Sequence, residues 1–170
     1  MKHHLLVLLR HAEAIPHAAA PDRQRVLTPF GRQQAAAAGK ALAESGLDLS
    51  GLHVWYSPAE RTRETAELAR AALPPETSSI SVDPLYDADL PRLMELLHET
   101  PDTVSALVVV GHNPVIAEAC HALGSTQFEQ PQFAALNDGY PPATLTAFRL
   151  TSDWAGLSVD TAELVFHHIG

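Results

Sequence analysis

Two apolar runs in this chain end on histidine. Residues 5–9, all Leu or Val, lead directly into Arg10-His11, and residues 106–110 lead into Gly111-His112-Asn113. Short, uninterrupted apolar runs mark strands buried on both faces. In open α/β sheets ligands gather at the carboxyl ends of the strands, which is where both histidines fall. A weaker strand at 53–56 leads into Ser57-Pro58-Ala59-Glu60-Arg61. Arg61 is then expected in the first turn of a helix, near its partly positive end. Three loops at one sheet edge would bring together two histidines and at least two arginines. Guanidinium groups grip phosphate bidentately, so this set suits a dianionic phosphoryl group.

The elements that must position these residues are legible. Further strands are expected at 80–82, 145–150 and 162–166. Thr28-Pro29 opens a helix running to about 45, ended near Gly46. Ser57-Pro58 opens a second, with Glu60 at the capping-box position, running to about 73. Asn113-Pro114 opens a third, ended by Gly124. In each, a side-chain oxygen is expected to cap free N–H groups while proline takes the first helical position. A fourth helix is expected over 91–99, with Asp89 as its cap. Strands alternating with helices predict an α/β fold: a three-layer sandwich with a mostly parallel central sheet and helices on both faces. The last two strands have no helix between them, so one end of the sheet is expected to be antiparallel.

Composition narrows the function classes. The chain has 170 residues, suited to one domain, 1–170. Its formal charge is −9, which argues against nucleic acid and anionic membrane surfaces as partners. Within the basic residues, nine are arginine and two, Lys2 and Lys40, are lysine. The lone cysteine, Cys120, excludes an intrachain disulfide and is expected to be a buried, inert thiol. The N-terminal run after Lys2 is five residues long, short of the ~7–15 of a secretory signal, and no run approaches the ~20 needed to span a bilayer. A cytoplasmic protein is the expectation. His3-His4 and His167-His168 are adjacent pairs, which on a strand point to opposite faces. Neither a zinc-type spacing nor an H-E-x-x-H is present, so no metal is expected.

Four segments, in order, carry a family resemblance. Arg10-His11-Ala12-Glu13 resembles the RHG signature of the histidine phosphatase (phosphoglycerate mutase-like) superfamily. Leu27-Thr28-Pro29-Phe30-Gly31 resembles its L-T-x-x-G segment, and Ser57 to Thr65 its S-P-x-x-R-A-x-x-T segment. Val110-Gly111-His112-Asn113-Pro114 resembles its second-histidine segment. The short length and the Arg25-Val26-Leu27-Thr28 run are most similar to the SixA-type phosphohistidine phosphatase branch. Ala12 stands where the family has glycine, and Thr62 where it has alanine. Alanine at 12 is tolerated if φ there is negative and strained if φ is positive.

The resemblance implies roles. His11 would be the nucleophile, forming a covalent phosphohistidine that water hydrolyses. Arg10 and Arg61 would clamp the phosphoryl oxygens and His112 would donate a further hydrogen bond. No cofactor is implied. Arg25 either reaches the phosphate or pairs with Asp22. Arg63 reads as a surface charge, and Ser57 as a helix cap with a secondary option of a phosphate contact. The proton donor stays open between Asp87 and Glu13. An imidazole leaving group, with an unperturbed pKa of ~6.5, needs less help than an alkoxide. Only about 50 residues separate Arg61 from His112, too few for a lid domain beyond one helix, a strand and another helix. An open site suits phosphohistidine on a protein, such as a histidine phosphocarrier or phosphorelay domain. The alternatives are a phosphatase for a small phosphorylated metabolite or nucleotide and, further off, a mutase or a non-catalytic phosphate-binding module. Whether residues 140–144 join the site rim is left open.

Overall fold

Residues 3–170 are described by a computed structural model of the chain; Lys2, the basic residue ahead of the first apolar run, lies outside them. Six strands form one sheet: β1 (His4–Arg10), β2 (Leu52–Tyr56), β3 (Ser78–Ser81), β4 (Ala106–Gly111), β5 (Leu145–Leu150) and β6 (Ala162–His168). Their order across the sheet is β3-β2-β4-β1-β5-β6. β1, β2, β3 and β4 run parallel, while β5 and β6 are antiparallel to their neighbours. The helices are α1 (Pro29–Ala43), α2 (Glu60–Arg70), α3 (Leu90–His98) and α4 (Val115–Gly124).

The apolar runs are continuous because both faces of the sheet are covered. Leu6, Leu8, Leu107 and Val109 face one core, which also holds Leu93 and Leu97 of α3 and Ile116 and Leu123 of α4. Leu5, Val7, Leu9, Ala106, Val108 and Val110 face the other, against Ala38 and Leu42 of α1 and Ala66 and Ala69 of α2. This is the period-2 alternation of a strand, apolar on both sides. Truncating a fully buried leucine such as Leu8 is expected to cost about 2–5 kcal/mol. The α1–α2 packing depends on Gly39: a Cβ there would lie 2.2 Å from the Ala69 carbonyl oxygen.

Most element boundaries follow the sequence reading, with three corrections. β3 spans Ser78–Ser81 rather than 80–82. It is an edge strand, set by backbone pairing of His53 with Ser78 and Tyr56 with Ser81, not by apolar content. α2 starts at Glu60 after an uncapped Ala59, so Ser57 is not its cap. Ser57 continues the sheet instead, donating its N–H to Val110 O (3.2 Å). α4 starts at Val115, one residue later than Pro at the first helical position would give, although Asn113 Oδ1 still accepts from Ala117 N (3.2 Å). The other two caps stand: Thr28 accepts from Gly31 N and Asp89 from Arg92 N. Cys120 is buried in α4, and burial pushes its thiol up to about 11.

Candidate active site

Sheet register brings the three loops level. β1 pairs with β4 so that Arg10 lies opposite Gly111, and β2 pairs with β4 so that Tyr56 lies opposite Val110. His11, His112 and Ser57 therefore leave three neighbouring parallel strands at nearly the same height. His11 N donates to Gly111 O (3.0 Å), and the two imidazole rings lie 5.5 Å apart.

The hydrogen bonds determine which ring nitrogens carry protons. His11 Nδ1 is 2.7 Å from Ala12 O. A carbonyl only accepts, so Nδ1 holds the hydrogen and Nε2 presents its lone pair. Burial pushes the His11 pKa down to about 3, and His112, Arg61 and Arg10 act in the same direction. His112 Nδ1 is 3.2 Å from Arg61 Nη2. Guanidinium only donates, so this nitrogen accepts, and Nε2–H donates to Ser57 Oγ at 2.7 Å. Burial, followed by Arg61, pushes the His112 pKa down to about 4. Both imidazoles are neutral at pH 7.

Both arginines are held through their terminal nitrogens, and the buried Nε of each has no partner. Arg10 Nη1 donates to Tyr140 O (3.0 Å). Arg61 Nη1 donates to Asp22 O (2.7 Å), and its Nη2 to Asp22 Oδ2 (3.2 Å). Among the described residues, the buried side-chain polar atoms without a partner are Arg10 Nε, Arg61 Nε and Thr77 Oγ1. Two of these three lie at this site, and an unsatisfied buried donor costs ~1–3 kcal/mol.

Asp22 is a centre of this network that the motifs do not announce. Its carboxylate accepts from Arg61, from Arg25 Nε and Nη2 (3.3 and 3.2 Å) and, in a short contact, from the Tyr86 hydroxyl. The Tyr86 hydroxyl, with Arg61 and Arg25, holds the Asp22 carboxyl well below the usual range. Tyr86 stands edge-on to His112 at 5.8 Å, and Arg23 stacks on its ring at 4.0 Å. Arg25, whose Nη1 donates to Ile15 O (2.9 Å), thus stands behind Asp22. Its pairing with Asp22 was a sequence-level option; the link onward to Arg61 and Tyr86 was not.

The remaining candidates separate. Asp87 is exposed and lines a cleft of about 310 Å³ together with Tyr86, His112 and Glu118. Glu13 is exposed, and its Oε1 accepts from the Thr28 hydroxyl (3.0 Å) at the start of α1. Arg63 pairs with Glu60 (2.6 Å) and Glu67 (2.9 Å) on the surface. Ala12 is not in the left-handed region, since Ala143 is the described non-glycine residue with positive φ. Ala12 N donates to Thr65 Oγ1 (3.0 Å). The Thr62 hydroxyl is buried and donates to Ser57 O and Ala59 O.

Residues 140–144 do join the site, from below. Tyr140 O accepts from Arg10 and from Asn113 Nδ2 (both 3.0 Å). Ala143 N donates to the carbonyls of Arg10 and His11 (3.1 Å each), at φ 63. A left-handed alanine is strained by ~1–2 kcal/mol, and the two bonds to the nucleophile's own backbone hold it there.

Comparison with known proteins agrees with this geometry. A family model described as the histidine phosphatase superfamily (branch 1) matches residues 6–100. An uncharacterised protein of Mycobacterium tuberculosis is 26% identical over 162 residues, covering 95% of this chain and 99% of that protein. Among solved structures, a candidate phosphohistidine phosphatase SixA from Nakamurella multipartitia superposes with a TM-score of 0.81 at 27% identity, covering 99% of this chain and 96% of that one. Phosphoglycerate mutase from Plasmodium falciparum shares the fold, with a TM-score of 0.61 at 21% identity over 96% of this chain and 89% of its own.

Proposed function

The chain belongs to the histidine phosphatase superfamily, and from that premise we propose that it is a phosphohistidine phosphatase acting on proteins. The observation that carries the reading is the pair of buried, unpartnered arginine Nε donors beside a histidine whose Nε2 is held free. Likeness to a candidate SixA structure over 99% of this chain supports the substrate class. So does the short path between α2 and β4, which holds β3, a single 3-10 turn over Asp83–Leu85, and α3.

The mechanism follows from the charges. The phosphoryl dianion takes the Nε donors of Arg10 and Arg61, which are fixed before it arrives and need no reorganisation. His11 Nε2 attacks phosphorus in line. The Nε2–P bond forms as the substrate's P–N bond breaks, and the leaving nitrogen takes the bonding pair. With the other ring nitrogen protonated, the substrate histidine departs as neutral imidazole. The His11 Nδ1–H bond to Ala12 O stabilises the positive charge that develops on the ring. His112 is neutral in the free enzyme; a dianion beside it favours its protonated form, and Nδ1, with a proton taken from water, then gives up its bond from Arg61 and donates to the phosphoryl oxygens. Ser57 accepts from His112 and retains a hydroxyl hydrogen to donate to the same oxygens. Arg25 acts on the phosphate only through Asp22 and Arg61. Water then attacks phosphorus as the Nε2–P bond breaks; the bonding pair returns to His11 Nε2, the water's proton passes to an acceptor, and inorganic phosphate leaves. For this second step Asp87, in the cleft with His112, is a better placed proton carrier than Glu13, which is engaged by Thr28.

The reading includes one domain over 1–170 and a cytoplasmic setting; among the described residues no helix is long and apolar enough to cross a membrane. The test is to trap the intermediate. Mass spectrometry at neutral pH, after mixing with a phosphohistidine-bearing phosphocarrier domain, should find phosphate on His11. His11→Ala should show neither adduct nor phosphate release. Equal release by both proteins overturns the proposal. A small phosphorylated metabolite or nucleotide turned over with far higher kcat/KM than any phosphoprotein would replace the substrate class while keeping the chemistry.

A further inference from the structure

We propose that Tyr86 is a positioning residue for phosphoryl transfer, latching the loop at residues 16–24 over Arg61; this rests on Arg61 acting as a phosphate clamp, as proposed above. The loop follows the nucleophile and returns toward α1. Its neck is closed by Ile15 N donating to Val26 O (2.9 Å) and by Arg25 Nη1 donating to Ile15 O (2.9 Å). Beyond the neck, none of residues 16–24 is buried. An excursion without a core anchor opens readily, so its polar contacts decide where it sits.

Among the described residues, the hydrogen bonds and ring contacts that tie this loop to elements beyond its own neck run through two neighbours. Asp22 O accepts from Arg61 Nη1 (2.7 Å). Asp22 Oδ2 accepts from Arg61 Nη2 (3.2 Å) and, in a short contact, from the Tyr86 hydroxyl. Arg23 lays its guanidinium over the Tyr86 ring, 4.0 Å from the ring centre. Tyr86 therefore grips both residues, one by its hydroxyl and the other by its face. It reaches them from the connection between β3 and α3, with its ring edge-on to His112 at 5.8 Å.

The consequence falls on Arg61. A guanidinium is a rigid planar fork, so fixing Nη1 and Nη2 on Asp22 also fixes the direction of the buried, unpartnered Nε–H. That direction is only as firm as Asp22 itself. Arg25, at the neck, holds the other carboxylate oxygen, Oδ1 (3.3 and 3.2 Å). Tyr86 holds Oδ2, the oxygen that Arg61 uses. Without the hydroxyl, Oδ2 keeps Arg61 as its partner but loses its fixed point across the site. A donor that must be aimed before the phosphoryl group arrives is sensitive to such loosening.

The experiment removes the hydroxyl alone, since Tyr86→Phe keeps the ring that Arg23 and His112 touch. In the full chain, Tyr86→Phe is expected to lower kcat/KM for phosphoramidate about fivefold and to weaken inhibition by inorganic phosphate by a similar factor. In an Asp22→Asn background the same change should cost less than about 1.5-fold, because the carboxylate it acts through is already gone. The Arg61 Nε–H signal in a nitrogen-correlated NMR spectrum, assigned by its loss in Arg61→Ala, should be sharp in the parent and weakened in Tyr86→Phe by faster exchange with water. Equal losses in both backgrounds, or an Arg61 signal that Tyr86→Phe leaves unchanged, overturn the latch. Parent-like activity of Tyr86→Phe beside a crippled Arg61→Ala overturns the latch alone. Parent-like activity of Arg61→Ala overturns the clamp, and the latch with it.

Discussion

The two edges of the sheet differ in a way that volume does not reveal. The amino edge holds the larger hollow, about 690 Å³, lined by His3, His4, Ser50, Ser105 and Arg149 among others. The carboxyl edge has a cleft of about 310 Å³ beside His112. Yet the amino edge is internally matched: His4 Nδ1 meets Val104 O (3.1 Å), Ser105 Oγ donates to Ser50 O (3.1 Å), and Arg149 pairs with Glu163 (3.4 Å). At the carboxyl edge two buried guanidinium donors lack partners beside a lone-pair nitrogen. Native interiors satisfy most buried polar groups, so the exceptions point to function better than empty space does.

The contrast can be broken most directly at the clamp. Arg10→Ala and Arg61→Ala should each lower kcat/KM by about 10²- to 10³-fold, the range for losing one preorganised charge donor. Steady-state assays with phosphoramidate check this, and losses under about threefold would remove the clamp's special status.

Next is Asp22. Asp22→Asn keeps the shape but loosens Arg61 and Arg25, with an expected fall in kcat/KM of about tenfold, the loss of one charged hydrogen bond; Asp22→Glu should recover part of it. The same residue predicts a stability effect. Its folded carboxyl titrates below the unfolded value, so its contribution is present above about pH 4 and is lost as pH falls toward the folded value. Thermal unfolding of the parent should weaken more steeply below pH 4 than that of Asp22→Asn, whereas parallel curves would show that the pairing does not stabilise the fold.

The histidines sharpen the comparison in solution. With values near 3 and 4, the His11 and His112 ring resonances should stay still between pH 5 and 8 in an NMR titration of the free enzyme. Midpoints near 6.5 would mean that the site is wetter and less charged than described. Since the unfolded chain takes up those protons from about pH 6.5 downward and the native rings do not, stability should fall as pH drops through that window. The smallest effect belongs to the amino edge: Arg149→Ala should change kcat/KM by less than about twofold, and a clamp-sized loss there would erase the distinction between the edges.

Much of this was legible in the chain. The runs at 5–9 and 106–110 announced central strands because both of their faces are covered, and strand polarity then put Arg10, His11 and His112 at one edge. Thr28 and Asp89 were readable as caps because capping acts over three residues. Ser57 misled for the same reason. Its Ser-Pro-x-Glu spacing is a helix-start pattern, but its hydroxyl is taken by His112, 55 residues away, and its backbone by β4. Asp22 and Tyr86 were illegible as a pair. They are 64 residues apart, on loops with no periodic pattern.

By itself, then, the sequence determined the kind of groups and the edge where they meet: imidazoles and guanidiniums after buried strands. Residue type and apolar periodicity act locally and survive in one dimension. Tertiary structure alone decided which ring nitrogen carries a proton, which arginine donors stay free, and that a strained Ala143 braces the nucleophile's backbone. Those outcomes depend on hydrogen bonds between distant loops, and their geometry exists only once the sheet register has brought the loops level.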